Sequence, residues 1–242
     1  MAISLKRTGS HLAGAVKILV HGLSGAGKTT LIPSLPSPIV LSAEAGLLSI
    51  AGADVPYIEI RSIADMYEAY GWLTSSAEAK QYASVAVDSI SEIAEVVLSH
   101  EKKVAKDPRQ AYGAMQDQMG DLIRALRDIE GRHVYMTAKT EKAADESGRV
   151  AYSPMMPGNK MGQSLPFFFD EVLALRVEKG ADGVAHRTLQ TDSDGVWTAK
   201  DRSRRLDMWE APDLGAIIRK IEARNVDVVD ATETVVEVWG EK

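Results

Sequence analysis

The residues of this chain best suited to chemistry lie in one glycine-rich loop. Gly22-Leu23-Ser24-Gly25-Ala26-Gly27-Lys28-Thr29 has glycine, lysine and threonine at the fixed positions of G-x-x-x-x-G-K-[ST]. Glycine lets successive backbone N–H groups converge on phosphate oxygens, and a following helix start adds a favourable dipole. Lys28 supplies a point charge to the β- and γ-phosphates, and Thr29, followed by Thr30, supplies a hydroxyl for Mg²⁺. The expected nucleotide contacts are Gly22, Ser24, Gly25, Ala26, Gly27, Lys28, Thr29 and Thr30, with ATP and Mg²⁺ as the implied ligands.

Two carboxylates complete the candidate centre. Asp88 ends the apolar run Val85-Ala86-Val87, at the strand edge where α/β sheets bind ligands; it is the natural Mg²⁺ partner, with an N-cap for the next helix as the plainer alternative. Glu44, in Leu41-Ser42-Ala43-Glu44-Ala45-Gly46, follows another apolar run and is placed to act as a general base on water or to be a solvated loop residue.

These residues need a sheet to position them. Val16–His21, Pro38–Leu41, Tyr57–Ile60, Ser84–Val87 and His133–Thr137 read as strands, alternating with helical patterns over about 89–104 and 115–129 and one capped by Ser62 with Met66, Tyr67, Tyr70 and Leu73 on one side. The alternation predicts an α/β fold, a mostly parallel sheet covered on both faces. After Thr137, residues 139–166 mix proline, glycine and methionine without a period and read as a long loop. Runs at Glu171–Val177, Ala185–Thr191 and Val196–Lys200 then read as an antiparallel meander, with a helix over Leu214–Ile221. The expected organisation is an arm over 1–15, a core over 16–222 and a tail over 223–242.

With 242 residues the chain suits one large core. It has no cysteine, which removes disulfides and thiolate chemistry, and its five histidines show no ligand spacing. No apolar run or leader segment suggests a membrane partner, so a cytoplasmic protein is expected. The net charge of −6 argues against holding duplex DNA by bulk electrostatics, leaving local patches to carry any such contact.

The order of phosphate loop, strand with Ala43-Glu44, strand ending Val87-Asp88-Ser89, and strand followed by a long loop resembles the RecA-like P-loop NTPase core. More narrowly it resembles the Sak-type phage RecA-like ATPases, which are single-strand annealing proteins. The resemblance rests also on Val134–Lys139, Asn159–Val177 and Ala199-Lys200-Asp201-Arg202, and spans roughly residues 16–221. It implies ATP hydrolysis with Glu44 as base and Asp88 as Mg²⁺ partner, in a homo-oligomeric ring or filament acting in strand annealing or recombination, encoded by a phage and working in its host's cytoplasm. It implies single-stranded DNA as partner, contacted by the 139–166 segment through Lys139, Lys142, Arg149, Tyr152 and Lys160, and leaves room for a single-strand-binding protein. That segment holds four bases against three acids, a weak positive balance. Lys139 stands where the family often has a γ-phosphate sensor of another type, and residues 1–15 show no polymerisation element.

Lys200-Asp201-Arg202-Ser203-Arg204-Arg205 has four bases and one acid. The resemblance implies that Lys200 and Arg202 reach a neighbouring subunit's phosphates; the plainer reading is an exposed basic turn. Lys102, Lys103, Lys106 and Arg109 form a second basic segment that also reads as a solvated face. A small-molecule or nucleotide kinase is the alternative function, because the loop alone does not separate transfer to water from transfer to substrate. Such kinases usually carry an arginine-rich lid, and residues 139–166 contain one arginine. A nucleotide-gated assembly protein is a third class, against which Glu44 argues.

Overall fold

The computed structural model describes residues 15–44, 46–144, 148–180 and 183–233. Strands β1 (Lys17–His21), β2 (Pro38–Ser42), β3 (Tyr57–Glu59), β4 (Ser84–Asp88), β5 (His133–Ala144) and β7 (Glu171–Lys179) are mutually parallel, in the order β7-β1-β5-β4-β2-β3. The loop-bearing β1 is thus separated from β4 by β5. Strands β6 (Val150–Met155), β8 (Ala185–Gln190), β9 (Lys200–Asp201) and β10 (Trp209–Glu210) are added antiparallel.

The central strands are buried on both faces, which is why their sequences are continuous apolar runs. On one face Leu19, Leu41, Val87 and Met136 meet α1 (Ile63–Ser75), α2 (Ile90–Val104) and α3 (Pro108–Arg127). On the other, Ile18, Val40, Ala86 and Leu173 meet the 3₁₀ turns at Thr29–Ser34 and Leu47–Ala53 and α5 (Leu214–Glu233). The result is a three-layer α/β domain, mostly parallel, with an antiparallel C-terminal part.

Several expectations are revised. The helix start after the phosphate loop is a six-residue 3₁₀ turn, because Pro33 lies inside it and supplies no N–H to an α-helical ladder. Segment 139–166 is no irregular loop: β5 runs on to Ala144 and turns back as β6, from Lys139↔Met155 to Ala144↔Val150, followed by α4 (Asn159–Ser164). The meander is incomplete. Strands β8 and β9 both pair with β7, at its two ends, and β10 pairs with β8.

Helix α3 begins at Pro108, seven residues before the periodic pattern suggested, with Pro108 in its first turn and the Asp107 carboxylate accepting from Arg109 N–H. Ser62 caps α1 as expected, but Tyr67 is exposed while Ala69 joins Met66 and Leu73 in the core. Helix α5 crosses the expected boundary at 223, so the tail is not separate there; residues 1–14 and 234–242, most of the expected arm and the end of the tail, lie outside the described residues.

Candidate functional site

The phosphate loop leaves the C-terminal end of β1 under constraint from three sides. Gly22 has no side chain where Leu175 of β7 closes in: a Cβ there would sit 3.1 Å from the Leu175 carbonyl oxygen. The buried Tyr135 of β5 donates its hydroxyl to Lys28 O at 2.8 Å, and Thr30 Oγ1 donates to Gly27 O at 2.7 Å. Gly27 has φ +104, and a Cβ on it would lie 2.9 Å from Thr30 Oγ1. Only glycine accommodates that backbone, so the loop keeps the shape its motif requires.

Behind the loop lies a compact polar cluster. Thr29 Oγ1 donates to Asp88 Oδ2 at 2.7 Å, and Thr137 Oγ1 of β5 donates to Asp88 Oδ1 at 2.5 Å. Asp88 is 1% exposed, and both of its oxygens are thereby oriented. The N-cap of α2 is Ser89, whose hydroxyl accepts from Glu92 N–H at 3.2 Å. Asp88 is therefore not consumed by capping, and the ambiguity between cap and metal partner resolves against the cap.

Glu44 is brought to the same edge. Its backbone N–H and that of Ala43 donate to Asp88 O at 3.2 and 2.8 Å, Ser42 Oγ donates to its carbonyl at 2.9 Å, and Ser89 Oγ donates to its carboxylate Oε1. Ser89 thus binds the helix end and the candidate base at once. Gly46, just beyond, faces Thr29 Oγ1 and Asp88 Oδ2, at 3.6 and 4.0 Å from a Cβ built there. The Lys28 ammonium donates to Gly22 O at 2.9 Å and Leu23 O at 3.4 Å. Burial lowers its pKa, opposed by the carboxylates of Glu44 and Asp88. Lys28, Thr29, Glu44 and Asp88 therefore form one electrostatic unit. Ser24, Gly25 and Thr30 are exposed and Ala26 is buried, as a loop that opens to a ligand on one side requires.

The donor set suits Mg²⁺ and a nucleoside triphosphate: a threonine hydroxyl on a buried carboxylate, beside a glycine cradle and an ammonium. Thr29 and Asp88 would hold the metal, which when bound draws charge from the phosphate oxygens.

The remaining expected residues are distributed differently. Lys139 Nζ bonds Glu92 Oε2 at 2.7 Å and Glu95 Oε1 at 3.0 Å; burial works against its charge, and these two carboxylates outweigh it and raise its pKa. Tyr152 lies flat on Trp197, 4.2 Å between centroids at 7°, with Lys142 Nζ 5.9 Å from its ring, so one aromatic face is already used. Arg149 precedes β6 and Lys160 is exposed on α4. Of the three phenylalanines, Phe169 is buried, Phe168 lies under Arg124 and Phe167 is exposed.

Lys200 and Arg202 are not at the phosphate loop. Strand β9 pairs with the start of β7, at Glu171↔Asp201, and Glu171 lies beside Ile18, the N-terminal end of β1. Both residues thus occupy the sheet edge opposite their own loop. Lys200 Nζ donates to Pro166 O and Phe169 O at 2.6 and 2.7 Å, so its charge serves a turn; burial lowers its pKa. Arg202 pairs with Asp170 at 3.1 Å on the surface. Strand β9 ends at Asp201, whose carboxylate accepts from the N–H groups of Arg204, Arg205 and Leu206.

Sequence reasoning missed Tyr135, Thr137, His21 and Ser89. Tyr135 and Thr137 alternate along β5 and could have been found by extending period two toward the loop; His21 and Ser89 act through contacts more than 40 residues distant in sequence.

A family model described as AAA domain matches residues 15–203. Among solved structures, the chain is similar to a prototypical ATPase from the type III secretion system of pathogenic bacteria, at 15% identity and a TM-score of 0.46, over 67% of this chain and 52% of that one. The chain thus spans about half the length of that ATPase. No curated protein matches it. Among the described residues no helix is long and apolar enough to cross a membrane. A match over residues 15–203 takes in the loop, both carboxylates and the whole parallel sheet: the chain belongs to the AAA domain family and is a nucleotide-binding P-loop ATPase domain.

Proposed function

We propose that this chain hydrolyses ATP with Glu44 as general base and couples the nucleotide state to single-stranded DNA, as a phage-encoded homo-oligomer acting in annealing or recombination. The observation that carries the hydrolytic reading is the Thr29–Asp88–Thr137 cluster with Glu44 tied to it through Asp88 O and Ser89. Lys28 binds phosphate charge, Thr29 and Asp88 orient the metal side, and Glu44 accepts a proton from the attacking water.

The β5–β6 hairpin supports the DNA part. It leaves the sheet at the loop's own edge, and its base is bonded to site elements by Thr137–Asp88, Lys139–Glu92, Ser91–Met155 and Thr140–His21. Lys142, Arg149 and Lys160 lie on the hairpin or on the helix that follows it, Tyr152 offers the ring face opposite Trp197 for stacking, and Lys139 contributes by fixing the hairpin base. Arg202 faces away from its own loop, so any phosphate it meets belongs to a neighbouring subunit; Lys200 positions that segment.

ATP hydrolysis measured with and without single-stranded DNA, beside a panel of nucleoside monophosphates, tests this. DNA stimulation together with protection of residues 139–155 from proteolysis is expected. Phosphoryl transfer to a monophosphate would replace the reading with a kinase. Hydrolysis indifferent to DNA would remove the DNA partner and leave the ATPase.

A further inference from the structure

The β7–β8 hairpin flanks the phosphate loop on the side away from Asp88. Its residue Arg187, paired with Val177, donates from Nε to Ala26 O at 2.9 Å. A Cβ built on Gly27 would lie 3.3 Å from that Nε and 3.5 Å from Arg187 Cδ, so the side chain lies against the Ala26–Gly27 peptide. The register explains the placement. Leu189, two residues on and on the same face, packs with Ala26 and Leu31 in the core, so Arg187 emerges where that core meets the loop.

One N–H of the guanidinium is used on Ala26. Arg187 is exposed, and among the described residues it forms no ion pair and no second hydrogen bond. An arginine held beside a phosphate-binding loop, its other donors uncommitted, is matched to an anion on that loop.

The strand order decides which part of the anion. Asp88 ends β4 and Glu44 follows β2, on one side of β1; β7 and β8 lie on the other. With the terminal phosphate turned toward the Thr29–Asp88–Glu44 group, the phosphates nearer the nucleoside lie toward β8. We propose that Arg187 is a cationic ligand, supplied in cis, for the nucleoside-proximal phosphates of the bound nucleotide. This rests on the phosphate-site reading given above.

Equilibrium binding of ATP and ADP by the full chain, across a salt series, tests it. Arg187→Ala is expected to raise both Kd values by a similar factor, about tenfold for one charge-assisted contact, and to flatten the rise of Kd with salt. Arg187→Lys should recover part of the loss by restoring charge. Unchanged affinities would overturn the proposal. So would weakened binding with an unchanged salt slope, which marks a brace for Ala26, or a loss confined to ATP, which marks a terminal-phosphate contact. Lys28→Ala separates the two levels: if it binds ATP as the wild type does, the phosphate site itself is wrong and Arg187 falls with it.

Discussion

His21, the residue before the phosphate loop, accepts through Nδ1 from the Thr140 hydroxyl at 2.9 Å, while its Nε2 donates to Thr198 O at 2.7 Å. In the neutral ring the proton sits on Nε2, because the Thr198 carbonyl accepts and cannot donate, and Nδ1 is left to accept from Thr140. The last residue of β1 thereby joins the base of the β5–β6 hairpin to the segment carrying Trp197, on which Tyr152 stacks and over which Arg176 lies at 4.6 Å.

Burial depresses the His21 pKa to about 4. The unfolded chain binds a proton near pH 6.5 and the folded chain does not, so His21 destabilises the fold as pH falls from about 6.5 toward 4, by up to about 3 kcal/mol. Glu171 acts in the opposite sense. Burial, with Asp201 beside it, pushes its pKa up to about 9, and Oε2 has no hydrogen-bond partner. The folded state keeps a proton that the unfolded state releases, so stability is lost as pH rises from about 4.5 toward 9. Glu171→Gln, which copies the neutral acid, should raise Tm at pH 8 by at least about 2–4 °C, the shift 1 kcal/mol gives in a chain this size, and flatten the decline of Tm above pH 6.5. An unaltered Tm profile would mean that Glu171 is ionised in the folded protein.

Lys200 should behave as a structural residue. Lys200→Met removes the donor to Pro166 O and Phe169 O and should cost about 1–3 kcal/mol in urea unfolding, the range for leaving such acceptors unpaired. A variant as stable as the wild type would contradict that assignment.

Arg202 offers a test of assembly. Its place at the edge opposite its own loop allows action only on a neighbour. Arg202→Ala and Glu44→Gln should each hydrolyse ATP slowly, and co-assembled mixtures should regain activity at interfaces pairing an intact Glu44 with an intact Arg202. Absence of rescue in mixtures shown to co-assemble would reduce Arg202 to its surface pair with Asp170.

The phosphate loop and Asp88 were legible because a motif with fixed spacing and a strand-terminal carboxylate are local signals, whereas Glu44 was open on spacing alone and was singled out by the resemblance. The parallel core was legible for the same reason: strands buried on both faces are short apolar runs. The hairpin at 139–155 was hidden because Lys139-Thr140-Glu141-Lys142 is polar on both faces once it leaves the sheet, so no alternation marks it. The catalytic reading of Lys200 and Arg202 came from the resemblance, not from their local pattern. Their distance from the loop is a matter of which end of β7 receives β9, which no local pattern encodes. Arg187 is a single arginine in a short strand, and its contact spans 161 residues.

Glu44 is the residue on which hydrolysis by this centre depends. Its carboxylate is positioned by Ser89 and its backbone by Asp88, and its charge acts on the Lys28 ammonium. Single-turnover hydrolysis by Glu44→Gln, with ATP affinity measured in the same samples, is the most direct test. The expected result is affinity near that of the wild type and hydrolysis slower by at least about 10²-fold, as loss of a general base requires. Hydrolysis at the wild-type rate, with ATP bound, would contradict it and place the base elsewhere.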